Sequence, residues 1–184
     1  MAGAKLPLEH WPRNHPMNPS TIARLEQVHP TLKAKAYQLI EQLAQQGIHV
    51  EVSQGLRTWA EQEALYAQGR TIPGRIVTRA RPEQSWHTFG CAFDIAVFDP
   101  GGGIDWSGTS AAWDTTVRAG IALGLVSGSE FRTFPDLPHF QYTGRFPVTP
   151  NEEVLSLYQS GGLQAVWDEV TGHTTTSDLA TGDL

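Results

Sequence analysis

The sequence is poor in cysteine. Cys91 is the one thiol among 184 residues, so no disulfide can form within the chain, and the fold does not depend on an oxidising compartment. Long apolar runs are missing too. None approaches the roughly 18 residues of a transmembrane helix, so the chain is read as having no membrane anchor. Charge is sparse, at 17% of residues, and leans to acid, with a formal net charge of −6. A general nucleic-acid binder needs a basic face, so no nucleic-acid partner is expected. An acidic chain also has no electrostatic reason to adhere to an anionic membrane or wall polymer. Residues 1–11 lack the apolar core of a secretory signal. The expectation is a chain made in the cytoplasm, whose action beyond the membrane requires another agent for its release.

What is present is an ordinary globular composition, 40% hydrophobic, long enough for one domain with a core of its own. Pro7, Pro12, Pro16 and Pro19 make residues 1–19 an extended lead-in. Asn18 or Ser20 can cap a short helix through Gln27. Pro30 suits the first turn of a longer helix, in which Leu32, Ala36, Leu39, Ile40 and Leu43 recur at helical spacing up to Gly47. Residues 48–53 alternate apolar and polar, as a half-buried strand does. Thr58 with Glu61 reads as a capping box, opening a helix to about Gln68 with Gly69 as its stop. Arg57 therefore sits in a strand-to-helix turn, a rigid support for a functional side chain.

Residues 70–84 carry Arg70, Arg75, Arg79 and Arg81 with Pro73, Gly74 and Pro82. A connection of this length is either a binding loop or a solvated one. Ala92 to Val97 reads as a central strand, Ser110 as the cap of a helix through Leu123, and His139 to Tyr142 as a short strand. Thr149, Pro150 and Glu152 mark a helix that runs to Gln159. Gly161 and Gly162 break it from a last helix, Leu163 to Val170. Residues 147–170 thus form a C-terminal helical extension, and 171–184, rich in Thr, Gly, Asp and Ser, a disordered tail. No internal repeat is visible.

The stretch Ser85-Trp86-His87-Thr88-Phe89-Gly90-Cys91-Ala92-Phe93-Asp94 stands out. Asp94 is the one charge in the apolar run Cys91 to Val97. A carboxylate inside a buried run is costly unless it is paired or bound to a metal. Histidine nitrogen and carboxylate oxygen both ligate zinc. His87 and Asp94 are then two ligands of one ion, or else a loop histidine and a strand aspartate joined by a hydrogen bond. This stretch alone leaves both readings open.

A catalytic zinc site needs a third protein ligand and an open position. His10, His15 and His29 lie in or near proline-rich turns, His173 is in the tail, and His49 alternates out of its strand towards solvent. His139 opens an apolar strand and follows Asp136-Leu137-Pro138, where Pro138 biases Leu137 to an extended conformation. Asp136 and His139 can lie along one edge of a site, one binding the ion and the other near its water. Zinc brings the pKa of its water towards neutrality, by roughly eight units in favourable sites. A nearby carboxylate takes the proton as a carbonyl is attacked and gives it to the leaving amine. A cation such as Arg57 stabilises the oxyanion. Read alone, Asp136 is equally a loop carboxylate without a role. Cys91 reads as a small buried hydrophobe, not a ligand.

Ser-x-His-x-x-Gly-x-Ala-x-Asp, followed by acid-x-x-His, resembles the zinc peptidases of peptidoglycan that include D-alanyl-D-alanine carboxypeptidases and L-alanyl-D-glutamate endopeptidases. Ser85, His87, Gly90, Ala92 and Asp94 fill the first motif, and Asp136 and His139 the second. The stretch Ser53-Gln54-Gly55-Leu56-Arg57-Thr58 with Gln62, Leu65, Tyr66 and Gly69 resembles the family's substrate-side segment, with Gly-Leu-Arg where Gly-Tyr-Arg is frequent. The resemblance covers residues 20–146, the catalytic domain on this reading. It implies an α+β fold, a small central antiparallel sheet flanked by helices, of the hedgehog/D-Ala-D-Ala-peptidase-like kind. It implies Zn2+ held by His87, Asp94 and His139, Asp136 as general base and acid, and Arg57 as stabiliser of the carbonyl or of a substrate carboxylate. Ser85 and Gln62 become candidates for substrate contact or for support of the site.

Within the family, the single-domain size and the Gln-Ser-Trp-His-Thr-Phe-Gly segment most resemble the endopeptidase branch, which includes phage endolysins that cut the L-alanyl-D-glutamate bond of the stem peptide. The implied protein is a monomer acting on the cell wall after holin-dependent release. One alternative is a D,D-carboxypeptidase or dipeptidase. It needs a free terminal carboxylate, so a second basic residue in the pocket, Arg75, Arg79 or Arg81, would favour it. The other is a non-catalytic wall-binding module of the same fold, which predicts a missing ligand or base.

Overall fold

The computed structural model describes residues 17–172. Most of the expected lead-in, with His10 and His15, and the tail from His173 onward lie outside the described residues.

Asn18 caps α1 (Pro19–Leu25), its side chain accepting the Ser20 N–H at 2.9 Å. Helix α2 (Pro30–Gln45) has proline in its first turn, and His29 is its cap, accepting the Thr31 N–H at 3.1 Å. His29, beside Pro30, is therefore a buried helix cap. Gly47, at φ 74°, turns the chain into β1 (Val50–Gln54), two residues later than the alternation suggests. The Thr58–Glu61 capping box opens α3 (Trp59–Ala67). Then follow β2 (Ala92–Val97), α4 (Ala111–Ala122) capped by Ser110, β3 (Val126–Ser127) and β4 (His139–Gln141). Helix α5 (Glu152–Thr171) is capped by Asn151 and is broken at Gly161 and Gly162, whose backbone is not helical.

The architecture is α+β, as expected. The four strands form one antiparallel sheet in the order β1-β2-β4-β3. Strand β3, two residues long, has too little pattern to be read from sequence. Side chains alternate across the sheet. Val50, Val52, Phe93, Ile95, Val97 and Phe140 turn to one face and meet Leu32, Leu39 and Leu43 of α2 and Trp113 of α4 in the main core. Asp94, His139 and Gln141 turn to the other face. Asp94 thus does not interrupt the buried run. It occupies the alternate face that the run conceals.

A second core lies beneath the loop that precedes β2. Trp86, Phe89, Cys91 and Ala92 pack with Phe146 and with Val154, Val166 and Val170 of α5. Trp167 Nε1–H donates to the Phe89 carbonyl at 2.8 Å, and His29 Nε2 lies 3.1 Å from the Trp167 carbonyl. Residues 147–172 share this core with the rest of the domain.

Candidate functional site

Two structural devices bring the site together. The β2–β4 ladder places Asp94 opposite His139. The loop before β2 is held by its own short bonds, with Thr88 Oγ1–H donating to the carbonyls of Pro82 and Ser85 at 2.7 and 2.6 Å, so that His87 projects over the sheet. A bulge between Val52 and Gln54 ends regular β1–β2 pairing beside Asp94, which lets the chain leave the sheet as Gly55-Leu56-Arg57.

The three inward atoms are His87 Nε2, Asp94 Oδ1 and His139 Nδ1. They stand 3.1, 3.1 and 3.2 Å apart. The outer ring nitrogens fix the tautomers. His87 Nδ1–H donates to the Gly55 carbonyl at 2.9 Å, and His139 Nε2–H donates to Gln141 Oε1 at 2.9 Å. In the neutral rings both inward nitrogens are then bare lone pairs, facing a carboxylate oxygen. Three acceptors converge with no hydrogen to share, and a cation satisfies all of them. A tetrahedral ion with arms of about 2.0–2.1 Å sets its ligands about 3.3–3.4 Å apart, close to this triangle. Among the described residues these three side chains form the group fit to hold a metal ion.

Electrostatics agree with the geometry. Burial alone would raise the Asp94 carboxyl, but the charges and hydrogen bonds of His87 and His139 hold it well below the usual carboxylate range. Burial works against charge on His139, and the hydrogen bond and charge of Asp94 outweigh it, raising its pKa. The triangle thus attracts a proton where it lacks a metal.

A cavity of about 610 Å³ opens above the triangle, lined among others by Arg57, Ser85 and Asp136. Among the described residues, Asp136 is the cavity carboxylate without a hydrogen-bonded partner. Its backbone carbonyl accepts the His139 N–H at 3.1 Å, so the turn that delivers His139 also delivers Asp136. Burial first, then the charge of Asp94, pushes the Asp136 carboxyl above its usual range. Arg57 Nη2–H donates to Asp94 Oδ2 at 3.3 Å, and Nη1–H to Gln62 Oε1 at 2.7 Å. Gln62 is fully buried and donates in turn to the Ala80 carbonyl at 2.9 Å. That burial agrees with the second of the two readings of Gln62, support of the site: it holds Arg57 from behind. Of Arg75, Arg79 and Arg81, Arg79 lines the cavity, while Arg81 lies over the Tyr66 ring. Cys91 is fully buried, and burial pushes its thiol up, as suits a small hydrophobe.

Two residues that sequence reasoning overlooked shape the site. Gln141 shares a sheet face with His139 because they are two apart on one strand, a signal the alternation carries. Gly128 carries no such signal. A Cβ there would stand 2.3 Å from the Asp136 carbonyl oxygen and 2.8 Å from His139 Cβ. Only glycine lets the turn at 128–130 lie against Asp136 and His139.

The family profile described as D-alanyl-D-alanine carboxypeptidase (VanY) matches residues 25–109, and a second profile of the same description matches residues 78–142. The peptidoglycan L-alanyl-D-glutamate endopeptidase CwlK of Bacillus subtilis (strain 168) is 36% identical over 121 residues, 62% of this chain and 72% of CwlK. The chain belongs to this family of metallopeptidases. The L-Ala D-Glu endopeptidase ChiX of Serratia marcescens, a solved structure, shares 26% identity, covering 66% of this chain and 84% of ChiX with a TM-score of 0.48. A 70-residue stretch also matches Beclin-1 of Xenopus tropicalis at 31% identity, but it spans 16% of that protein.

Proposed function

We propose that the chain is a zinc-dependent endopeptidase that hydrolyses peptidoglycan stem peptides at the L-alanyl-D-glutamate bond. The observation that carries the reading is the triangle of His87 Nε2, Asp94 Oδ1 and His139 Nδ1 beneath a cavity that also holds Asp136. The named activity of CwlK supports the choice of bond. Zinc held by the three donors would supply a Lewis acid and bring the pKa of water towards neutrality.

The chain's own groups do the rest. Asp136, unpaired and raised, accepts a proton from the attacking water and returns it to the leaving amine. Arg57, pinned by Gln62 and Asp94, brings fixed positive charge to the cavity in which the carbonyl oxygen becomes an oxyanion. Ser85 lines the same cavity as a substrate contact. The context we propose is cell-wall lysis in the manner of a phage or prophage endolysin. The protein is made in the cytoplasm, acts as a monomer, and reaches the wall after holin-dependent release.

The second reading is a D,D-carboxypeptidase, for which Arg79 in the cavity supplies the cation that a free terminal carboxylate needs. Zinc analysis and turbidity loss of a permeabilised wall suspension test the first reading, with mass spectrometry of the fragments. It expects one zinc per chain, lysis that stops on chelation, and fragments beginning with D-glutamate. Free D-alanine as the sole product would replace the endopeptidase with the carboxypeptidase.

A further inference from the structure

The chain is acidic but its cavity is not. Against a formal charge of −6, the cavity is lined by Arg57, Arg79 and Arg132 and by the carboxylates of Asp94 and Asp136. Most of these groups are already engaged. Asp94 serves the triangle, and Arg57 is tied to Asp94 and Gln62. Arg79 and Arg132 form no ion pair among the described residues.

They reach the cavity from two different connections, 70–84 and 131–138. The Arg79 guanidinium lies 5.5 Å from the centre of the Phe134 ring, two residues from Arg132, so the two loops meet at this point. A guanidinium over an aromatic face keeps its N–H fork free, and that fork matches a carboxylate.

We propose that Arg79 and Arg132 form an anion subsite for the free carboxylate on the carbon that bears the scissile nitrogen. The proposal rests on the function read above and names what the site selects. In a stem peptide, D-glutamate is acylated on nitrogen by L-alanine and continues through its γ-carboxyl. Its α-carboxylate is therefore free, one carbon from the bond to be cut. A terminal D-alanine presents a carboxylate at the same position. A cation in this pocket thus does not by itself separate an endopeptidase from a carboxypeptidase. It selects a free α-carboxylate over its amide, the form in which D-glutamate has become D-isoglutamine.

The test compares two synthetic peptides, N-acetyl-L-alanyl-γ-D-glutamyl-L-lysine and its D-isoglutaminyl counterpart, on the zinc-loaded full chain. The wild type should cleave the free acid with kcat/KM higher by roughly ten- to hundred-fold, the scale of hydrogen bonds to a charged group. The double variant Arg79→Gln, Arg132→Gln should cleave both peptides with equal kcat/KM, the loss appearing as a raised KM for the acid. Equal cleavage by the wild type, or a preference that survives in the double variant, would overturn the subsite and leave the endopeptidase standing. Cleavage of neither peptide would remove the endopeptidase reading. Calorimetry with Asp136→Asn then decides the subsite separately: tighter binding of the acid, lost in a triple variant, upholds it, and equal Kd values overturn it.

Discussion

Trp86 and Gln141 donate to the same backbone oxygen, the carbonyl of Val148, at 2.9 and 2.8 Å. Trp86 adjoins His87, and Gln141 orients His139. The supports of two residues of the triangle are thereby joined at one point on the segment that leads into α5. Partners that orient ligating histidines matter nearly as much as the ligands themselves. Gln141→Leu should weaken zinc binding about 10–100-fold in competition with a chromophoric chelator. Gln141→Glu keeps an acceptor for the His139 N–H and should recover most of that loss. Unchanged affinity in Gln141→Leu would refute the link.

Asp136 should trade stability for function. A carboxyl with a raised pKa in the folded state binds its proton more tightly there than in the unfolded chain. Its stabilising contribution is present in acid and lost as pH rises through the folded value. At neutral pH the ionised Asp136 is then a burden on the metal-free protein. Asp136→Asn should melt higher than the wild type at pH 7, with the gap closing in acid, while hydrolysis falls about 10²–10⁴-fold. A lower melting temperature at pH 7 would contradict the account of Asp136 as a desolvated, unpaired carboxylate.

Gly128→Ala tests the close approach of the 128–130 turn. The added Cβ would stand 2.3 Å from the Asp136 carbonyl oxygen, and a backbone atom must move. Displacements near 1 Å at a reacting centre cost about 100-fold. The variant should keep its far-ultraviolet circular dichroism and lose kcat on that scale. Full activity would mean that Asp136 and His139 are not held from this side.

The two cores should answer differently to truncation. Phe89 and Leu39 are both fully buried, one in the core beneath the loop that carries His87 and one in the main core. Phe89→Ala should cost about 3–5 kcal/mol and Leu39→Ala about 2–5 kcal/mol, both read by denaturant unfolding. Only Phe89→Ala should also weaken zinc binding at a temperature where both variants are folded. If the two lose metal equally, the second core has no special hold on His87.

Much of this was legible because local chemistry and tertiary structure agree. The Thr58–Glu61 box, the Ser110 cap, the buried stripe of α2 and the Gly161–Gly162 break depend on neighbours a few residues away. His87, Asp94 and His139 could be picked out together because two spaced motifs carry them, although the residues read alone left their roles open, and the structure brings the three side chains to one point. What escaped depends on long-range contact. The need for glycine at 128 arises from a chain that returns eight residues later. The burial of Gln62 depends on the loop at Ala80. The packing of α5 follows from aromatic residues some eighty positions upstream, as in the Trp167–Phe89 bond.

The pairing of Asp94 with His139 has a consequence for how the protein is made. The donors are 7, 45 and 52 residues apart in sequence, and the two on the sheet meet in one register only. Sliding β4 by one residue would turn His139 to the opposite face and present Phe140 to Asp94. An unfolded chain, or a mispaired one, offers no such triangle. Metal binding therefore rewards the correctly registered sheet alone and stabilises it by mass action. Zinc in the growth medium should then govern how much protein accumulates folded, before any substrate is met.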